Sequence, residues 1–290
     1  MRKSLERKND IYVKKHVAQA WGHFIDYDDE GLFNHCDITA KKVLPTQKII
    51  WQYWGQGFSG QALPEVVQLC IDSVDKYKQD YTIIRLDDET IHDYLDFPSF
   101  VLEKRQNGVY KYAFFADLLR LALLNAYGGV WLDATILLTQ KIPPSILQQE
   151  IFFYQRSEHA LDKKQWQKMN DAYFGWSDSH HVNVLNSIIV AKRDNPLIRK
   201  CLVLLLKFWE TQESIPHYFF FQILFDVLKQ RGEVNMLDLD DTLPHLLLRL
   251  IKTGYFNQSK LADVLSQSHM HKMTYFKESC APSYYEYLKT

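Results

Sequence analysis

The chain has 290 residues, 47% of them hydrophobic, enough for one large α/β domain with a helical appendage, and this excludes a mini-protein or a disordered chain. Its 34 basic and 35 acidic residues are interspersed and leave a formal charge of -1, so the broad positive field of a nonspecific nucleic-acid binder is absent and no nucleic-acid partner is expected. Cys36, Cys70, Cys201 and Cys280 are widely separated and form no CxxC pair or Cys/His cluster, which excludes a zinc knuckle or compact disulfide framework and suggests reduced thiols.

The longest apolar region, Ala113 to Thr139, is interrupted by Asp117, Arg120 and Asp133, so no membrane span is expected. The start, MRKSLERKND, carries charge with no apolar run behind it, unlike a secretory signal, and a cytoplasmic location is the expectation. Arg2, Lys3, Arg7, Lys8, Lys14 and Lys15 outnumber Glu6 and Asp10 there, a balance that an anionic membrane surface attracts and that a solvated helix face also explains.

Residues 1–45 read as a helical lead-in and 46–290 as the main domain. KIIWQYW at 48–54 is the first buried strand, ended by Gly55 and Gly57. Pro64 opens a helix, PEVVQLCIDSVDKY, whose Val67, Cys70, Ile71 and Val74 share one face. YTIIRL at 81–86 is a second strand, and short capped segments follow around DDETIHDYL and FPSFVLEKRQ. YKYAFFADLLRLALLNAY at 110–127 is apolar on nearly every side and reads as a buried helix, capped by Gly128 and Gly129. VWL at 130–132, ILLT after Asp133, IFFY at 151–154 and VLNSIIVAK at 184–192 supply further strands. From Pro196 the pattern turns helical, with LIRKCLVLLLKFW and HYFFFQILFDVLKQRG, and HMHKMTYF at 269–276 returns to a strand. Strands alternating with helices predict a mainly parallel sheet covered on both faces, with ligands at the carboxyl ends of its strands, near Trp54 and Asp133.

Asp117 and Arg120, three apart on an apolar helix, share one face and can meet each other or a common ligand. As a buried ion pair alone they would recover their desolvation cost poorly, which favours a functional reading. Asp133 is held at a strand end, where a carboxylate can take a divalent cation or a ribose hydroxyl; capping a turn is the plain alternative.

The stretch FFADLLRLALLNAYGGVWLDATILLT resembles the central motif of the capsular polysaccharide synthesis proteins and of the wider glycosyltransferase family 32: acid-x-x-Arg, a helix, Gly-Gly, two residues, then Asp-x-Asp. The opening strand, helix and strand, the later VLNSIIVAKRDNPLIRKCL, KFWE and HYFFF, and the closing HKMTYF extend the resemblance over about residues 45–276. It implies a GT-A, Rossmann-like fold and a hexosyltransferase-type enzyme in capsule or exopolysaccharide synthesis. The transfer would run with retention, from a nucleotide-sugar to an oligosaccharide that is lipid-linked, at the inner face of the membrane. Carried over, Asp117, Arg120 and Asp133 are the catalytic set and, with Gln52, Trp54 and Gly129, line the donor. Thr135 replaces the motif's second acid, and a manganese or magnesium ion would rest on Asp133 and Thr135 with His271 completing the shell. A nucleotide-sugar hydrolase and a catalytically degenerate scaffold of an assembly complex are the competing readings.

Overall fold

A computed structural model of the protein describes residues 2–33, 37–59, 62–108, 110–252, 255–274 and 282–289. Cys36, Cys280 and the last two residues of the predicted 269–276 strand fall outside these. In chain order the first elements are α1 (Arg2–Asp29), β1 (Thr39–Ala40), β2 (Ile49–Tyr53), α2 (Glu65–Tyr77), β3 (Thr82–Leu86), β4 (Leu95–Asp96), α3 (Ser99–Gln106), α4 (Tyr112–Tyr127), β5 (Gly129–Leu132) and β6 (Ile136–Leu138). Then come α5 (Pro144–Leu147), β7 (Ile151–Gln155), α6 (Lys163–Met169), β8 (Val184–Ala191), α7 (Pro196–Thr211), α8 (Phe220–Gln230), α9 (Leu246–Ile251), α10 (Gln258–Gln267), β9 (Met270–Lys272) and α11 (Pro282–Leu288).

The α/β reading holds, and the central sheet is mixed. Its order is β3-β2-β5-β8-β7, with β3, β2 and β5 parallel and with β8 antiparallel to both β5 and β7. The excess of parallel pairing expected from strand-helix alternation stops at β5, because alternation reports the order of elements and not the direction in which each strand enters the sheet. All five strands are buried, except that β3, at an edge, is partly exposed.

Successive residues of a strand point to opposite faces, and this divides the chemistry. Trp51 packs on Tyr94 and Tyr127 and donates from Nε1 to the Gly128 carbonyl at 2.9 Å, so its face carries α4. Gln52, next in line, accepts from Arg85 Nε at 3.1 Å, and Arg85 reaches the Ile71 carbonyl and Asp75, so the other face carries α2. Between the sheet and α7, α4 is buried on nearly every side, which is why its pattern is apolar all round.

The lead-in helix α1 belongs to the same core. Val17, Trp21 and Ile25 are buried, and the Trp21 ring lies 4.5 Å from Phe220 and 5.7 Å from Phe208, centroid to centroid. Lys14 is buried as well: its ammonium donates to the Ala172 carbonyl at 2.6 Å and pairs with Asp10 at 2.8 Å. Burial lowers its pKa, with Asp10 opposing. One of the six basic residues in the membrane reading is therefore an internal anchor. A second, smaller core lies beyond α2, where Leu69 and Cys70 meet Leu137 of β6, Leu250 and Ile251 of α9, and Leu261 of α10. There β9 pairs antiparallel with β6, Ile136 opposite Lys272 and Leu137 opposite His271.

Gly129 has φ 109°, and a Cβ there would lie 2.6 Å from the Ile49 carbonyl oxygen. Gly31 also has positive φ, 69°, but open space around it. Gly129→Ala is therefore expected to lose about 2–3 kcal/mol of stability through strain and displacement of β2, and Gly31→Ala about 1 kcal/mol through backbone conformation alone. Urea unfolding of the two variants beside the wild type checks the contrast, which equal losses would contradict.

Candidate active site

At the carboxyl end of β5 the Asp133 amide donates to the Ser187 carbonyl at 2.9 Å, continuing the pairing with β8, and its own carbonyl accepts from the Ile136 amide at 2.9 Å in the turn to β6. The carboxylate is thus fixed from both sides by backbone. Trp131, two residues earlier and on the same face, donates from Nε1 to Asp133 Oδ1 at 2.8 Å. The same oxygen accepts from Arg120 Nη2 at 3.2 Å, and the guanidinium lies 5.3 Å from the centre of the Trp131 ring.

The helical spacing of Asp117 and Arg120 brings them together as expected: Nη1 of Arg120 is 2.9 Å from Asp117 Oδ1. That contact is close enough for an ion pair but is not aligned as a hydrogen bond, and Nη1 and Nε of Arg120 have no hydrogen-bond partner among the described residues. The Arg120 side chain is only 5% exposed, against 13% for Asp117 and 22% for Asp133. Asn186 of β8 donates to Asp117 Oδ1 at 2.8 Å. A buried guanidinium with unsatisfied donors costs stability, and it is held here by the charges of Asp117 and Asp133 on either side.

The two carboxylates are driven apart electrostatically. Burial raises Asp117, Arg120 draws it down, the Asp133 charge raises it again and Asn186 lowers it, leaving its pKa at about 7. For Asp133 burial also raises the pKa, but Lys272, Arg120, and hydrogen bonds from Trp131 and Ser187 overcome this and hold it at about 2. At neutral pH Asp133 is therefore anionic, while Asp117 gives up its proton far less readily than a free carboxylate.

Of the remaining expected residues, Trp54 follows β2 and packs with Val67 and Ile71 of α2 against Ala134, beside Asp133. Gln52 is buried on the α2 face, opposite to Trp131, with its Nε2 unpaired among the described residues. Two expectations fail. Gly129 begins β5 while Asp133 follows its end, about 13 Å away at strand rise, so Gly129 serves the close approach of β2 and not the donor. His271 is buried with Nε2 3.1 Å from Thr139 Oγ1, and burial lowers its pKa to about 3. Its neighbour Lys272 takes the position assigned to it. The Lys272 ammonium donates to Thr135 Oγ1 at 2.8 Å and to Asp133 Oδ2 at 3.1 Å.

A magnesium or manganese ion takes about six oxygen ligands at close to 2.1 Å. Here Asp133 and Thr135 turn their oxygens to an ammonium, and among the described residues no three His, Cys, Asp or Glu gather around a common point. The set Asp133, Thr135 and His271 does not fit a divalent ion as arranged. Two surface clefts of about 480 and 530 Å³ lie elsewhere, at the Gly128–Gly129 end, lined by Gln47, Lys48 and Lys192 and by Lys42, Tyr127 and Arg193. Neither touches Asp117, Arg120 or Asp133, and the chemistry of the cluster locates the site better than the size of these clefts.

Sequence reasoning missed Lys272 and Asn186. The Asn186-Ser187 pair inside an apolar strand was a readable signal of polar work in the core, whereas Lys272 depends on the register of β9 against β6.

The cluster and its α/β frame define a protein whose charged site stands at strand ends, and comparison with known sequences identifies it. The family profile of capsular polysaccharide synthesis proteins matches residues 2–288, and the chain belongs to that family. It is 27% identical over 194 residues to the O-glycosyltransferase braB of Annulohypoxylon truncatum, covering 61% of this chain and 41% of that protein, so the chain spans less than half the length of that relative. A solved structure, PaToxG Glycosyltransferase, superposes with a TM-score of 0.39 at 15% identity, covering 89% of this chain and 86% of that one, a similarity too low to establish a common fold.

Because Asp117 keeps its proton to about 7 when folded and to only 3.8 as a free side chain, the wild type loses stability relative to a neutral isostere as pH rises between those values. Asp117→Asn is therefore expected to gain on the order of 4 kcal/mol over the wild type between pH 4 and pH 8. Urea midpoints at the two pH values measure this, and a pH-independent difference would contradict the raised pKa.

Proposed function

We propose that the protein is a glycosyltransferase that moves a sugar from a nucleotide-sugar donor to an oligosaccharide during capsular polysaccharide synthesis. The observation that carries this reading is the charged cluster of Asp117, Arg120, Asp133 and Lys272 at the carboxyl end of β5 in a chain of this family. The name of the braB relative agrees with it. Arg120 and Lys272 face the diphosphate, Asp117 accepts hydroxyl hydrogen bonds from the donor sugar, and Trp54 flanks the nucleotide. Breaking the sugar-phosphate bond builds negative charge on the phosphate side and positive charge at the anomeric carbon, and cations and carboxylates fixed beforehand stabilise both. Retention is the stereochemical reading, taken from the family likeness.

The acceptor in this proposal is lipid-linked, and α1 offers a surface suited to a membrane. Among the described residues no helix is long and apolar enough to cross one. Leu5, Lys8, Tyr12 and Lys15 are exposed at helical spacing on the side of α1 opposite Val17, Trp21 and Ile25. Such a face can lie on an anionic bilayer.

Asp117→Asn and Arg120→Lys are each expected to lower kcat/KM by roughly 30- to 1000-fold, about 2–4 kcal/mol, in folded protein. Product analysis with and without an oligosaccharide acceptor separates transfer from hydrolysis, and wild-type rates in both variants would reject the assignment. Changing Lys8 and Lys15 together to Gln is expected to weaken binding to anionic vesicles by about 2 kcal/mol, roughly 30-fold, with unchanged donor turnover in solution. Co-sedimentation at low and moderate salt reads this, and unaltered binding would make the α1 face a merely solvated one.

A further inference from the structure

The site carries the outline of an Asp-x-Asp motif but fills the place between its two residues with a side chain. Lys272 comes from β9, 139 positions after Asp133. Its ammonium has three protons, of which Thr135 Oγ1 and Asp133 Oδ2 accept two. The third is left for a ligand. Lys272 is 24% exposed where Arg120 is 5% exposed, so Lys272 is the cation of the cluster that meets solvent.

The backbone holds it there. The Met273 amide donates to the Thr135 carbonyl at 2.9 Å and Ile136 lies opposite Lys272 in the β6–β9 pairing, so strand alternation sends Lys272 toward Asp133 and His271 toward Thr139. The exchange of the motif's second carboxylate for Thr135 then has a physical reason. Two carboxylates around a divalent ion balance two charges, whereas one carboxylate and a neutral hydroxyl suit a single positive charge.

We propose that Lys272 supplies the positive charge that a divalent ion supplies in metal-dependent sugar transferases, so that this protein binds the donor diphosphate and transfers sugar without a metal ion. The proposal rests on the glycosyltransferase reading. In the step, the bond between the anomeric carbon and the diphosphate oxygen breaks with its electron pair remaining on that oxygen, beside Lys272 and Arg120. The acceptor hydroxyl oxygen forms the new bond to the anomeric carbon, and its proton passes to the departing diphosphate. The charge is delivered by the fold, already oriented, instead of arriving with the substrate as a metal complex.

Calorimetric titration of the full-length protein with uridine diphosphate and guanosine diphosphate, each beside its nucleoside, tests this in chelator and in excess manganese or magnesium. The wild type is expected to bind one diphosphate with the same affinity, within about threefold, in all conditions, and to transfer sugar equally well after exhaustive chelation. Lys272→Met, checked for folding by its melting profile, is expected to lose about 30-fold or more in diphosphate affinity while keeping that for the nucleoside. Lys272→Arg retains a cation and is expected to retain metal-independent binding. Lys272→Asp is expected to bind the diphosphate only when manganese is present. A wild type that needs the ion for diphosphate binding, or a folded Lys272→Met that binds the diphosphate as the wild type does, overturns the proposal. Failure of the wild type to bind either diphosphate, with or without metal, overturns the donor reading itself and the proposal with it.

Discussion

Asp133 is a carboxylate held by backbone at the end of a buried strand, and its charge has to be met from within the fold. One oxygen receives Trp131 and Arg120 and the other receives Lys272. Each of these partners comes from a different element: β5 itself, α4 on one face, and β9 on a ribbon beyond α2. Removing the anion would leave two cations facing each other, and removing either cation would leave the anion undercompensated. The positions of α4 and of the β6–β9 ribbon relative to the sheet are therefore coupled through this one group.

Asp117 works against the fold. Burial and the nearby Asp133 charge raise its pKa to about 7, so its anionic form is tolerated and not welcomed. A hydrophobic residue at that point of α4 would suit the core better. Arg120 Nε, buried and unpaired among the described residues, belongs to the same account. Polar groups left unsatisfied in a core that is otherwise apolar are the mark of a site organised for a ligand at the expense of stability.

Much of this was legible in the sequence, and the reasons differ residue by residue. Asp117 and Arg120 could be paired because helical spacing is a local rule and α4 is apolar all round. Asp133 could be placed because a glycine pair, a short apolar run and an acid together spell a strand end. Gly129 shared the motif without sharing the site, because its positive φ answers to the nearby Ile49 carbonyl and to nothing at the far end of β5. His271 was the candidate read from the closing segment and its neighbour Lys272 was passed over, because telling which of the two faces Asp133 needs the register of β9 on β6, a pairing between segments more than a hundred residues apart that no local pattern specifies. The direction of β8 was hidden for the same kind of reason: its apolar run reads alike in a parallel or an antiparallel ladder.

The distance along the chain between Asp133 and Lys272 also orders events during synthesis. At ribosomal rates of roughly 5–20 residues per second, the carboxylate is made on the order of ten seconds before the ammonium that completes its surroundings. The sheet core and α4 can gather in that interval, but β6 lacks its partner strand and Asp133 has Trp131, Arg120 and Ser187, without Lys272, to answer its charge. A nascent or prematurely terminated chain therefore lacks the ammonium beside Asp133, and the cluster is completed late, with the pairing of a three-residue strand.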